Sequence, residues 1–276
     1  MSNQVDTDAI RPPAVTMSST WSLPSWVLSF ILLIVFLAVW EGYVRIWDVS
    51  PFILPSPSVA IFAWFEAMAT QRLWVHSWIT VEETALGFFF ATVTGVSLGM
   101  VLGSLPRLEK TLSPFIVATQ VVPKVALVPL FVVWFGFGLT PKVIIAAVLA
   151  FFPILVNTIL GVKSVDRGHQ EVMTSLNASR WQELTQLIFP SSLPYILSGM
   201  EMGVVMAIIG AVVGEYLGGN SGLGVLAVQE MNAFNTTALF AVIIHLSVIG
   251  FVLFAAIVAI RRHAVGWHRS AGNGNG

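Results

Sequence analysis

Four ionisable side chains, Lys124, Glu201, Glu215 and His245, fall within or at the edge of stretches apolar enough to cross a bilayer. An ionisable group at membrane depth costs about 2.5–3.5 kcal/mol on insertion scales, which makes each a candidate for a transport pathway or an internal ion pair. Lys124 stands out because it follows Pro123 and precedes Pro129. Proline removes a backbone donor, so the helix is expected to break there and free backbone groups that must face protein or water. A discontinuous helix near the midplane is a recurrent way to build a transport site. The competing reading is that Lys124 snorkels or pairs with a carboxylate. Glu215 is open to three readings: a gate, a contact for an external protein, or a partner for Lys142. His245 reads as a hydrogen-bonded packing residue, and Glu82 and Glu83 as interfacial carboxylates.

Covalent chemistry is not encoded. The chain has no cysteine, and its histidines, at 76, 169, 245, 263 and 268, lack metal-ligand spacing. No H-E-x-x-H, G-x-S-x-G or G-x-x-x-x-G-K-[ST] occurs, so no catalytic residue, no metal site and no ATP hydrolysis through a phosphate loop are expected.

The elements that must position these residues follow from composition. Of 276 residues, 56% are hydrophobic and 10% charged, with mean hydropathy +0.85. Soluble domains carry about 25% charged residues, so this is an integral membrane protein, and a net charge of −1 argues against a nucleic-acid partner. Residues 84–106, 143–162 and 231–260 carry no Asp, Glu, Lys or Arg. A further span begins at Trp26 and runs past Glu41. Two more are interrupted, from about Leu112 to Gly136 around Lys124 and from about Ile196 to Leu217 around Glu201. The expectation is an all-α, polytopic protein of six transmembrane helices. With the N-terminus inside, Arg11, Arg107, Lys110, Lys163, Arg167, Arg180, Arg261, Arg262 and Arg269 are cytoplasmic, against Arg45, Arg72 and Lys142 outside. That bias puts both termini in the cytoplasm. The expected division is a disordered cytoplasmic N-terminus over 1–23, a transmembrane domain over 24–262 containing a cytoplasmic loop over 163–195, and a cytoplasmic tail over 263–276.

Residues 55–78 follow the first span. Ser56 and Ser58 flank Pro57 as a helix start, and Ile61, Trp64, Phe65 and Met68 predict one apolar face, set either in the membrane interface or against the other helices. Gly87, Ala91, Gly95, Gly99 and Gly103 recur every four residues, as do Gly199, Gly203, Ala207 and Ala211. Such ribbons let helices approach closely in lipid.

The loop KSVDRGHQEVMTSLNASRWQELTQLIFPSSLP is the most informative segment. Asp166 caps a short helix with Val172, Met173 and Leu176 on its apolar side. Asn177 suits a left-handed helix end, and Ser179 with Gln182 predicts a capping box. Trp181, Leu184, Leu187 and Ile188 form the apolar face of a second helix, and Pro190 and Pro194 mark a turn back into the membrane. Two short amphipathic helices then either pack under their own bundle or dock in a partner's groove.

Glu171 to Pro190 resembles the EAA loop of binding-protein-dependent ABC importer permeases of type I. Its spacing holds from Glu171 through Asn177, in the glycine slot, to Leu187, Phe189 and Pro190. Val172 and Met173 replace the two alanines, and Phe189 replaces a leucine. LPSPS at 54–58, VVPKVALVPLFVVWFGFGLTPKV at 121–143, FFPILVNTILGVKSVD at 151–166 and GEYLGGNSGLGVLAVQ at 214–229 resemble the nitrate/sulfonate/taurine branch, with closeness to permeases for pyrimidine thiamine precursors and riboflavin.

The resemblance implies a MetI-like fold in the cytoplasmic (inner) membrane of a prokaryote. It implies as partners a cytoplasmic ABC ATPase dimer, an external solute-binding protein and a second permease copy or paralogue. The chain itself would bind no cofactor, ATP and Mg being used by the ATPase. Glu171, Val172, Met173, Leu176, Asn177, Ala178, Ser179, Arg180, Trp181, Leu187 and Pro190 become the candidate ATPase-coupling residues, although Arg180 is equally readable as a solvated cytoplasmic charge. Pro123, Lys124, Pro129 and Glu215 become the pathway candidates. The solute would be a pyrimidine- or riboflavin-like heterocycle, or a nitrate-, sulfonate- or taurine-type anion. The main competing class is a secondary active transporter, which would need no ATPase and would leave the loop unexplained.

Overall fold

A computed structural model describes residues 24–265, so the expectations for 1–23, for Arg269 and for most of the tail lie outside the described residues. Every regular element among the described residues is a helix. It comprises α1 (Ser25–Ile46), α2 (Pro57–Met68), α3 (Gln71–Ser104), α4 (Pro106–Val121), α5 (Val128–Phe135), α6 (Leu139–Lys163), α7 (Arg167–Ser175), α8 (Arg180–Glu183), α9 (Phe189–Gly218), α10 (Leu223–Asn232) and α11 (Thr236–Ala264). Five helices are long and apolar enough to cross a membrane. A sixth span is formed only if α4 and the segment Lys124–Phe135 count together, and these are bent by 79°. Val122 is extended (ψ 127°) before Pro123, a short 3₁₀ turn follows over Lys124–Leu127, and α5 starts with Pro129 in its first turn. The break expected around Lys124 is present, and its cause is local: proline supplies no N–H and disfavours a helical residue before it.

The core is three helices, with α6 held between α3 and α9. Both small-residue ribbons face α6. A Cβ on Gly87 would stand 2.5 Å from that of Ala146, and one on Gly99 2.5 Å from that of Thr158. On the other side a Cβ on Gly210 would lie 2.6 Å from Ala146 Cα, and one on Gly199 2.8 Å from Asn157 Cβ. Ala91, Ala150, Ile154 and Ala207 are wholly buried at the centre. Without a hydrophobic drive between helices in lipid, this close backbone approach is what gives dispersion enough contact to hold the bundle.

Three expectations need correction. First, α3 begins at Gln71, well before the uncharged run that starts at residue 84, and α6 begins before Lys142, so Glu83 and Lys142 lie inside helices, where they pair with each other. Lys142 is therefore not an outer-loop charge. Second, Pro190 and Pro194 mark no turn: the chain runs as one 39-residue helical stretch from Arg180 to Gly218. Leu184–Ile188 is a π-helical turn in which Phe189 N–H donates to Leu184 O, and a π turn is a common way to adjust a helix whose hydrogen-bond ladder is interrupted. Third, the apolar face of α2 is divided. Trp64 and Met68 pack inward with Ala67, whereas Ile61 and Phe65 are exposed. The helix lies against α11, with α1 and α3 also touching it.

Candidate functional site

Local sequence shapes the loop at one end of the bundle. Asp166 accepts from Gly168 N–H at 2.6 Å, opening α7. Asn177 is left-handed (φ 52°) and closes it. Ser179 Oγ accepts from Gln182 N–H at 3.3 Å, and Gln182 Oε1 accepts from Ser179 N–H at 2.8 Å, which completes the capping box. With the turn and both caps fixed, apolar side chains are presented outward: Val172 is 56% exposed, Leu176 71% and Trp181 71%. Met173, Ala178 and Leu187 are half-buried behind them, and Glu171 is exposed. Pro190 sits inside the helix that continues into the membrane.

The expected pathway residues separate into two places. Pro123 and Lys124 lie at the break, where Lys124 Nζ donates to Gln120 O at 3.4 Å and stands 4.6 Å from the centre of the Phe152 ring. Gln120, Lys124, Phe152, Asn157, Met202 and Met206 line a cavity of about 350 Å³ among α4, α6 and α9. Its chemistry is aromatic, thioether and amide with a single cation, which suits a small polarisable solute held weakly. Pro129 is exposed in the first turn of α5, outside that cavity. Glu215 is not there either; it is 1% exposed, at the end of the bundle away from the loop.

Glu215 belongs to a buried polar cluster that sequence reasoning did not assemble. Lys142 Nζ donates to Glu83 Oε1 at 2.6 Å and to Ser221 O at 2.9 Å, with both charged side chains 1% exposed. Glu215 accepts from Thr80 Oγ1 at 2.6 Å and from Gly224 N–H at 2.5 Å. Leu223 N–H in turn donates to Thr80 Oγ1 at 2.9 Å, so Glu215 serves two free donors at the start of α10, one directly and one through a hydroxyl. His76 Nδ1 sits against the Gly222 backbone, 2.8 Å from its carbonyl oxygen and 3.0 Å from its nitrogen. Gly222 has φ 113°, and any side chain there would overlap the Glu215 carboxylate. Of the three readings of Glu215, pairing with Lys142 is the nearest, yet the lysine's direct partner is Glu83. Glu83 itself is buried among the helices, whereas Glu82 is exposed.

A signal for this cluster was present. Each small-residue ridge, continued by one four-residue step, ends on a charge: Gly87 leads back to Glu83, Ala146 back to Lys142, and Ala211 forward to Glu215. Residues four apart share a helix face, so three packed ridges bring three charges together. Nearby, His245 is set by the same logic. Ser77 Oγ donates to Leu73 O and therefore accepts from His245 Nε2–H at 2.8 Å, while His245 Nδ1 accepts from Trp64 Nε1–H at 3.1 Å. Glu201, in α9, is paired with Arg261 at 2.9 Å.

Five or six apolar spans packed round buried, paired charges make this a polytopic membrane protein. The chain matches the family described as binding-protein-dependent transport system inner membrane component over residues 91–265, and it belongs to that family. It is a multi-pass inner-membrane permease of the ABC importer type, of the nitrate/sulfonate/taurine branch. It is 35% identical to the formylaminopyrimidine transport permease protein ThiX of Halalkalibacterium halodurans over 88% of this chain and 95% of that one. It is 34% identical to the riboflavin transport system permease protein RibX of Chloroflexus aurantiacus over 91% and 92% of the two chains. The inward-facing structure of the MetNI methionine ABC transporter shares the fold, with a TM-score of 0.63 at 20% identity over 70% of this chain and 96% of that one.

Proposed function

We propose that this permease accepts a small heterocyclic solute from an external binding protein and moves it by alternating access driven by a cytoplasmic ABC ATPase dimer. The observation that carries the reading is the loop. Val172, Leu176 and Trp181 are apolar, exposed and held in place by two helix caps and a left-handed turn. An ordered apolar face outside the membrane suits a helix set into a partner's groove, and Glu171 supplies a polar contact at its edge. Because the helix that starts at Arg180 runs unbroken into the bundle, movement of the loop is transmitted to α9, which packs on α6 and so on the cavity beside Lys124. Hydrolysis of ATP falls to the partner, and the chain acts as a transporter rather than an enzyme. Two copies pair in the membrane, with both termini on the ATPase side.

The solute reading rests on the likeness to ThiX and RibX, together with the Phe152, Met202 and Met206 surfaces beside Lys124. The nitrate-, sulfonate- or taurine-type anion is the alternative. The experiment uses the cysteine-free chain with Ala178→Cys as a single crosslinking point. A crosslink to the ATPase, and hydrolysis stimulated by binding protein loaded with a pyrimidine or flavin, is expected. An unreacted, freely labelled Ala178→Cys in the assembled membrane rejects the docking reading, and stimulation by sulfonates alone rejects the heterocycle.

A further inference from the structure

We propose that the base of the loop holds the phosphate headgroup of an anionic phospholipid. A cavity of about 710 Å³ opens between the α3–α4 corner and the segment running from α6 into α8. Its wall carries Lys163, Arg167 and Arg180, with the carboxylate of Glu183 on the same wall. Lys163 pairs with Glu109 at 3.2 Å. Neither Arg167 nor Arg180 has an ion-pair partner among the described residues, which is also true of Arg107 and Arg262; what sets the first two apart is that they line one cavity. Two unpaired guanidiniums facing one cavity fit a phosphate, whose oxygens match their planar forks.

The other walls select a lipid over a soluble anion. Met100 and Val101 of α3 and Leu184 and Ile188 of the π turn line the same space. Met100 lies four residues before Ser104, about 6 Å further along the helix towards the membrane interior. A headgroup at the basic rim therefore leaves glycerol and the first acyl methylenes against an apolar wall, whereas free phosphate leaves that wall uncovered. Basic pockets between helices at a membrane boundary take anionic headgroups for this reason. The bound lipid bridges α3, α6 and the start of α8, and so steadies the loop from beneath. Its site lies on the bundle side of the loop, apart from the outward Val172, Leu176 and Trp181 face.

The test is native mass spectrometry of the full chain released from nanodiscs of mixed phosphatidylglycerol and phosphatidylcholine. Wild type is expected to retain phosphatidylglycerol about tenfold over phosphatidylcholine, and Arg167→Gln/Arg180→Gln to lower that retention at least fivefold. Val101→Trp, which fills the apolar wall without touching a charge, is expected to lower it too. Arg107→Gln/Lys110→Gln, which removes two nearby bases outside the cavity, is expected to leave it unchanged. Equal retention of both lipids in wild type overturns the proposal, as does unchanged retention in the arginine variant or equal loss in the Arg107/Lys110 control. Displacement of the lipid by glycerol phosphate at matched concentration overturns it in favour of a soluble anion. Loss of ATPase association with lipid retention intact overturns it in favour of a protein contact.

Discussion

Lys142→Met is the sharpest perturbation of the buried cluster. It keeps the length of the side chain and removes one charge, which abolishes the 2.6 Å pair with Glu83 and the 2.9 Å bond to Ser221 O. Glu83 is then a buried carboxylate with no cation, and its Oε2 already lacks a hydrogen-bond partner among the described residues. Removing one member of a buried pair costs about 3–5 kcal/mol, chiefly because the other charge stays buried. That corresponds to roughly two to three and a half decades in the folding equilibrium. Glu83→Gln removes the direct partner of Lys142 but leaves the buried Glu215 carboxylate in the same cluster, and is expected to cost less than Lys142→Met. The double variant Glu83→Gln/Lys142→Met removes both charges and should recover at least half of the summed loss, since contacting residues couple by about 0.5–3 kcal/mol or more when charges are involved. The assay is reversible unfolding in dodecylmaltoside titrated with sodium dodecyl sulfate, followed by tryptophan fluorescence and fitted as a double-mutant cycle. A single-variant cost below about 1 kcal/mol, or strict additivity of the two, refutes the argument that Lys142 and Glu83 act as a buried pair.

Other consequences follow from the same geometry. Gly99→Ala places a methyl 2.5 Å from Thr158 Cβ and should cost about 1–3 kcal/mol by overpacking; Thr158→Gly in the same chain should restore most of it in the same unfolding assay, and failure to do so points away from the α3–α6 contact. His245→Phe leaves Trp64 Nε1–H without its acceptor and should cost about 1–3 kcal/mol, with a red shift in tryptophan emission if the α2–α11 contact loosens. Asn177→Val sets a β-branched residue at φ 52°, a conformation costing about 1–3 kcal/mol. Crosslinking from Ala178→Cys should fall while membrane insertion stays normal, and Asn177→Gly should preserve it. Ser179→Ala removes the capping acceptor of Gln182 N–H and should cost the loop about 1 kcal/mol, read as faster proteolysis at residues 176–182 with the bundle intact.

Features that depend on local chemistry and on the solvent are legible in the chain. The charge deficit makes a membrane protein, the helix at 57–68 begins at Pro57, whose ring suits a first helical turn, and Pro123 breaks the helix beside Lys124. Asp166, Asn177, Ser179 and Gln182 shape the loop through bonds spanning two or three residues, and such short-range geometry is legible in a linear string. Tertiary structure decided everything that depends on which ridges meet. Charges ended the expected spans because an unpaired charge does not stay in lipid; Glu83 and Lys142 stay because they find each other across 59 positions. Pro190 suggested a turn because proline usually stops a helix, yet the π turn upstream and the packing of α9 on α6 carry the chain through. Glu215 finds its hydrogen-bond partners, Thr80 and Gly224, only through the fold. The four-residue spacing of the ridges was visible in the chain, but only their registration on α6 made one buried site of three separate charges, because a charge in lipid is set by its neighbours in space and not by those in sequence.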